Sequence, residues 1–153
     1  MEENLKIKAQ LYTLCQEFIE ERFWAIQKTI DEIQLSLTSE TKSSVGDKHE
    51  TGRAMLQLER EKAGNQLAEI QKTKAVLLKV NSAVSSKHIG LGSVVYTSNA
   101  NYFIAISAGE LKVNDTAFYA ISPHTPMGQL LLGKKVGDAL TFRSKPFVIQ
   151  DVL

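Results

Sequence analysis

The sequence predicts an α+β fold: an N-terminal antiparallel coiled-coil hairpin of two helices, then a small antiparallel sheet carrying one helix. Three observations lead there. Tyr12, Cys15, Ile19, Phe23, Ile26, Ile30, Ile33 and Leu37 recur at alternating spacings of three and four, the seam of a coiled coil. A second, weaker seam of Leu56, Ala63, Leu67, Ile70 and Leu77 keeps that period, with Arg60 and Lys74 at the skipped positions. From Ile89 onward the helical period gives way to short β-branched and aromatic runs, the pattern of strands.

The two seams are mirror images about one point. Folding the chain back on itself sets Leu37 against Leu56, Ile30 against Ala63, Ile26 against Leu67 and Phe23 against Ile70, which centres the reversal on Gly46 and Asp47. Charge supports the antiparallel pairing. Residues 1–45 carry eight acidic and five basic side chains, whereas residues 46–88 carry five and eight, so the arms are oppositely biased; flanking charges of this kind choose register and orientation more than they add stability. Helix-forming residues dominate to Ser36, and no proline precedes Pro123. Between Ser36 and Ser44 the aliphatic seam gives way to Ser, Thr, Lys and Glu, so the first helix is expected to fray into a turn there, with Gly46 supplying a position free of the Cβ penalty. At 1.5 Å per residue each arm is on the order of 50 Å long.

Composition bounds the rest. A chain of 153 residues accommodates one ordinary core, or a hairpin plus one small domain, and the expected division is a hairpin over 1–86 and a second domain over 87–153. No apolar run reaches membrane-spanning length, and the amino terminus, with Glu2, Glu3, Lys6 and Lys8, lacks the basic-then-apolar order of a signal peptide; a cytoplasmic location away from membranes is expected. Cys15, the only cysteine, lies on the first seam, reads as a small core residue and excludes a disulfide within the chain. No basic face is broad enough to neutralise several phosphates together, which argues against direct duplex DNA binding.

The hairpin tip reads Gly46-Asp47-Lys48-His49-Glu50-Thr51, with Arg53 just beyond. Two readings of Asp47 and Glu50 stay open. One is a capping box, in which Asp47 accepts from the backbone N–H of Glu50 and the Glu50 side chain reaches back, both charges being favoured by the helix dipole. The other is an exposed carboxylate pair presented to a metal or a reacting phosphate. Two carboxylates are too few to hold Mg²⁺ tightly, so any such ion is shared with a partner. His49 has no second imidazole or thiol near it in sequence and reads as an exposed, titrating side chain rather than a zinc ligand.

In the second domain, strands are expected over 93–97, 102–107, 117–121, 140–143 and 147–152, with turns at Ser98-Asn99, Ala108-Gly109, Asn114-Asp115 and Lys145-Pro146. Thr125 as N-cap, Pro126 at the first helical position and Gly133 after Leu132 delimit one short helix, which would pack Met127, Leu130 and Leu131 onto the strands.

The stretches Ile89-Gly-Leu-Gly-Ser-Val-Val and Ile121-Ser-Pro-His-Thr-Pro-Met-Gly-Gln-Leu-Leu-Leu-Gly-Lys-Lys-Val-Gly-Asp138 resemble the C-terminal domain of the Gre transcript-cleavage factors, and Gly46-Asp47-x-x-Glu50 resembles that family's hairpin tip. The resemblance implies an FKBP-like second domain that docks on a bacterial-type RNA polymerase while the hairpin enters the secondary channel. Asp47 and Glu50 would there help hold the second Mg²⁺ of the polymerase and orient an attacking water at a backtracked RNA 3′ end. Ser122, Thr125 and Pro126 would lie in the docking loop. Where the family has Leu-Ser between the carboxylates, this chain has Lys48-His49, and Arg53 follows; these three are candidate contacts to RNA phosphate, and the two added cations oppose Mg²⁺ binding. On this reading the polymerase is the enzyme and the chain stimulates it.

Other classes compete. A channel-binding regulator without cleavage activity needs the same architecture. A peptidyl-prolyl isomerase would need an apolar pocket floored by a large aromatic, whereas the sole tryptophan, Trp24, belongs to the hairpin. A coiled-coil adaptor could use Trp24, which lies beside Phe23 but off the seam.

Overall fold

Helix α1 (Glu2–Lys42) opens on Glu2 and Glu3, whose charges complement the positive end of the helix dipole, and α2 (Gly46–Leu78) runs back after the connection. The computed structural model describes residues 2–42, 46–83 and 85–153, and the side chains of residues 40–50 lie outside the described set. The remainder is a six-stranded sheet with one short helix, which makes the fold α+β. Two compact units divide the chain: residues 19–73, and residues 1–18 together with 74–153.

Within the first unit apolar residues of the two seams pack together. Ile26, Ile30, Ile33, Leu37 and Ala63 form one buried cluster, against which Leu56, Leu67 and Ile70 pack. In this unit Leu56, Leu67 and Ile70 of α2 are half-buried and Ala63 is buried, with the half-buried Arg60 at the skipped position. Contrary to the expected fraying beyond Ser36, α1 stays helical to Lys42. The polar residues there turn their hydroxyls back into the helix: Thr38 Oγ1 donates to the Gln34 carbonyl at 3.0 Å and Ser39 Oγ to the Leu35 carbonyl at 3.2 Å. Back-bonding of this kind satisfies the hydroxyl without breaking the backbone ladder, and Leu37 supplies one more buried anchor.

Helix α2 carries an avoidable cost. A Cβ built on Gly64 meets only the Arg60 Nη1 atom, at 3.0 Å, the far end of a flexible side chain. Gly64→Ala is therefore expected to stabilise the hairpin by about 0.5–1 kcal/mol, the helix-interior difference between the two residues. A higher urea midpoint at constant slope shows it; an unchanged or lower midpoint means that Arg60 cannot give way.

In the second unit the strands are β1 (Val94–Thr97), β2 (Asn101–Ile104), β3 (Gly109–Val113), β4 (Thr116–Ile121), β5 (Ala139–Phe142) and β6 (Lys145–Val152), in spatial order β3-β4-β2-β1-β6-β5. Helix α3 (Pro126–Leu131) lies between β4 and β5 in sequence. The sheet is mixed rather than wholly antiparallel: β2 and β4 run parallel, with Tyr102 opposite Tyr119 and Ile104 opposite Ile121. Strand β3 makes this possible, since it follows β2 and then pairs antiparallel with β4 on the sheet edge. No strand was expected at β3 because Gly109, Glu110 and Lys112 blur its alternation, and an edge strand tolerates such charges. The β3–β4 turn is Asn114-Asp115, both at positive φ (51° and 64°), as a two-residue hairpin loop requires.

The turn expected at Lys145-Pro146 lies two residues earlier. Phe142 pairs with Lys145, and Arg143 and Ser144 form the turn at φ 51° and 69°. Pro146 then falls within β6 opposite Thr141. In the register of a two-residue hairpin that pair is the non-hydrogen-bonded one, so the missing N–H interrupts no bond to β5.

One face of the sheet buries Ile89, Val95, Ile104, Leu131, Phe147 and Ile149 beneath α3, with Met127 and Leu130 packed against them. Alternation places Val94, Phe103, Phe118 and Ala120 on the other face, all buried, and Tyr96 meets the Phe118 ring edge-on at 5.7 Å. The same unit contains the ends of the long helices, where Leu11, Cys15 and Leu77 are buried, as is Val80 just after α2; Ala9, Gln10, Thr13 and Leu14 of α1 border a groove with Lys112 and Val113 of β3. Lys8 is 2% exposed, and burial holds its ammonium below the ordinary value of 10.5.

Cys15 is wholly enclosed, and burial pushes its thiol from 9.0 up to about 12. The unfolded thiol ionises first as pH rises, so between about pH 9 and 12 the unfolded state binds fewer protons and stability falls, at up to about 1.4 kcal/mol per pH unit. Depression of the Lys8 value acts in the opposite direction, since it favours folding as that ammonium loses its proton. The comparison that isolates the thiol is therefore wild type against Cys15→Ala, urea midpoints measured across that window. The variant is expected to lose the alkaline decline attributable to Cys15; parallel curves would show that the thiolate is accommodated.

Candidate functional site

The tip residues fall in α2. Its backbone begins at Gly46, so Asp47 and Glu50 are the second and fifth residues of the helix, after the connection from α1. The side chains of Asp47, Lys48, His49 and Glu50, and with them the capping box and the carboxylate pair, lie outside the described residues. Position is what the structure contributes here: the motif stands at the reversal of a hairpin whose cross-packing runs from Ile26 and Ile70 to Leu37 and Leu56.

Arg53, one of the candidate RNA contacts, has a described side chain. Its Nη1 donates to the Leu37 carbonyl at 3.1 Å, across the hairpin and half-buried. This guanidinium ties the first turns of α2 to the end of α1, a positioning role that the sequence alone did not suggest. Arg53 precedes Leu56 by three residues and so lies about one turn nearer the tip than that seam residue. Thr51, two residues before it, is exposed.

Trp24 is 63% exposed and meets Phe23 edge-on at 5.2 Å. It therefore adds little to the buried seam. Among the described residues, no three His, Cys, Asp or Glu side chains are grouped so as to hold a metal ion.

The loop expected to dock is built from hydrogen bonds that the short helix needs for its start. Thr125 caps α3 with extended backbone (φ −69°, ψ 157°); its hydroxyl oxygen accepts from the Gly128 N–H at 3.1 Å while its O–H donates to the Ser122 carbonyl at 2.8 Å. Ser122 Oγ accepts from the His124 N–H at 3.1 Å, and the Ser122 N–H donates to Ser107 Oγ at 3.2 Å. Pro126 occupies the first helical position, where its missing N–H costs nothing. The loop is thus held rigidly, with His124 and Pro126 exposed and Ser122 half-buried. At the far end Gly133, at φ 80°, ends the helix, and its N–H donates to the Ile89 carbonyl.

No helix among the described residues is long and apolar enough to cross a membrane. No protein-family model matches the chain, and no curated protein matches it. Among solved structures the chain is similar to one described as that of the transcription factor Gfh1, at 23% identity over 89% of this chain and 91% of that one, with a TM-score of 0.35. What the chain does is read from its own residues.

Proposed function

We propose that the chain is a Gre-type transcription elongation factor, which docks on RNA polymerase through its sheet domain and places the hairpin tip in the secondary channel, where it stimulates cleavage of backtracked RNA. The observation that carries this reading is positional. The Gly46-Asp47-x-x-Glu50 motif forms the start of α2, at the reversal of a hairpin closed by its own seam. The Ile121–Asp138 motif in the same chain forms a rigid capped loop and helix.

Asp47 and Glu50 are hard oxygen donors suited to Mg²⁺, too few to hold it alone, and would share the ion with carboxylates of the polymerase. When bound there it would polarise the scissile phosphate and lower the pKa of a water. The chain's own part is to deliver and orient these carboxylates, with Arg53 holding the base of the tip through the Leu37 carbonyl. Lys48 and His49 remain candidate contacts to the phosphates of the RNA 3′ segment. Ser122, Thr125 and Pro126 would present the docking loop, whose rigidity lowers the ordering cost of binding.

One observation favours a second reading, occupancy of the channel without cleavage: Lys48 stands between the two carboxylates in sequence and adds a full positive charge where an Mg²⁺ ligand set needs negative charge. Both readings are tested in a stalled, backtracked transcription complex, scoring polymerase binding and RNA shortening separately. Failure to bind removes both, and binding without shortening leaves the second.

A further inference from the structure

A groove of about 700 Å³ runs between the two helices of the first unit. Ile26 and Ile70 form its floor, and Ile70 is only half-buried in a two-helix hairpin that has no third layer. On the α1 side the wall is Arg22, Ala25 and Thr29, spaced along one helix face, and the same spacing continues to Glu32. On the α2 side the wall is Lys62, Asn65, Gln66 and Glu69. All these wall residues are exposed, as is Glu32. The two walls share a symmetry. Reversing α1 about Gln27 exchanges Arg22 with Glu32 and Ala25 with Thr29. Reversing α2 about the Asn65–Gln66 bond exchanges Lys62 with Glu69 and Asn65 with Gln66. Each exchange brings a cation to a carboxylate, a small side chain to a small one, or an amide to an amide. The two centres stand at one height in the register that sets Ile26 against Leu67, since Gln27 is then level with Gln66. One two-fold axis perpendicular to both helices therefore satisfies both walls.

We propose that this groove is covered by the same groove of a second copy of the chain, the two hairpins running antiparallel with α1 on α1 and α2 on α2. A two-fold contact uses one patch twice and so demands a self-complementary surface, which these walls supply. Arg22 then meets Glu32 of the second copy, and Lys62 meets its Glu69. Glu69 already accepts from Lys72 of its own helix through Oε1 at 3.3 Å, an exposed pair three residues apart that leaves Oε2 for a second cation. A partner of one charge sign would face its like at half of these positions, and nucleic acid would be repelled by Glu32 and Glu69. A parallel two-fold would join Arg22 to Glu69 instead, but it sets Ala25 and Thr29 against the longer side chains of α2. The antiparallel one sets small against small, and helices approach most closely where the side chains between them are small. Each wall spans about three turns, so the interface falls below the roughly 1,000 Å² of a stable complex, and the dimer is weak and reversible. The proposal rests on the hairpin alone and does not depend on the channel reading.

The test is sedimentation equilibrium of the full-length chain at concentrations up to about 1 mM, where a weak contact becomes populated. Wild type is expected to show a monomer–dimer equilibrium. Arg22→Glu should weaken it about tenfold, because symmetry turns two attractive pairs into two repulsive ones. Adding Glu32→Arg to that variant should restore the dimer, whereas adding Glu69→Arg should not. Gln66→Cys gives a check that does not depend on charge. The introduced thiol lies beside the two-fold axis while Cys15 is wholly enclosed, so oxidation with diamide should link two copies covalently. A chain that stays monomeric throughout, a dimer indifferent to Arg22→Glu, rescue by Glu69→Arg rather than Glu32→Arg, or absence of the cross-link would each overturn the proposal.

Discussion

Asp47→Asn and Glu50→Gln are each expected to slow RNA shortening in a backtracked complex about a hundredfold, the scale lost when one group that stabilises transition-state charge is removed. Polymerase binding should change little, because both substitutions keep shape and hydrogen-bonding capacity and the proposed docking surface lies in the other unit. A competition assay against a labelled wild-type chain separates the two effects. Shortening at the wild-type rate by either variant would return these residues to a plain helix-capping role, in which loss of a cap costs about 1 kcal/mol and leaves chemistry untouched. Lys48→Leu provides the opposite sign. Removing the cation between the carboxylates should lower the Mg²⁺ concentration for half-maximal shortening about two- to fivefold, the range of one exposed charge interaction. Shortening by the Lys48→Leu chain but not by wild type would make the natural tip a channel occupant whose cleavage is suppressed by its own lysine.

How much of this could be read beforehand differs by element, for physical reasons. The hairpin was legible because a seam repeats: Ile26, Ile30, Ile33 and Leu37 had to meet a partner stripe, and mirror symmetry allowed only one turn position. Thr125, Pro126 and Gly133 were legible because each has a local reason that packing rarely overrides, a hydroxyl acceptor, a fixed φ and a free positive φ. Strand β3 was not, since an edge strand needs only one neighbour and Glu110 and Lys112 can stay in water. The β5–β6 turn misled because Pro146 is a strong turn signal in isolation, yet in a hairpin register half of all positions need no N–H toward a given neighbour. The candidate site divides in the same way. Asp47 and Glu50 could be placed at the tip by symmetry, whereas the Arg53 bond to the Leu37 carbonyl joins a polar side chain to backbone, a contact that the apolar period does not mark.

Gly128→Ala is expected to be the most damaging single methyl in the second unit. A Cβ there would be driven into the Ser122 carbonyl oxygen and would come within 2.9 Å of Thr125 Oγ1 and 3.1 Å of Pro123 Cα. Two of these three contacts are backbone, so no side-chain rotation relieves them. Relief requires the loop to move off the helix, and that movement takes with it the bond from the Gly128 N–H to Thr125 Oγ1 and the bond from Thr125 Oγ1 to the Ser122 carbonyl. Overpacking of this kind costs about 1–3 kcal/mol and loss of the cap about 1 kcal/mol more. For a domain of this size that corresponds to a fall in Tm of roughly 8–25 °C. Thr125→Ala separates the terms, since it removes the cap without adding a methyl and should cost only about 1 kcal/mol. If Gly128→Ala melts no lower than Thr125→Ala, the close approach is relieved by a motion that costs little, and the loop is softer than its hydrogen bonds indicate. If it melts far lower while the hairpin helices keep their far-ultraviolet signal, the damage is local to the second unit. The same variant should then lose polymerase binding with the tip carboxylates intact, the inverse of what Asp47→Asn and Glu50→Gln do, and this opposition is what a factor with separate docking and tip functions requires.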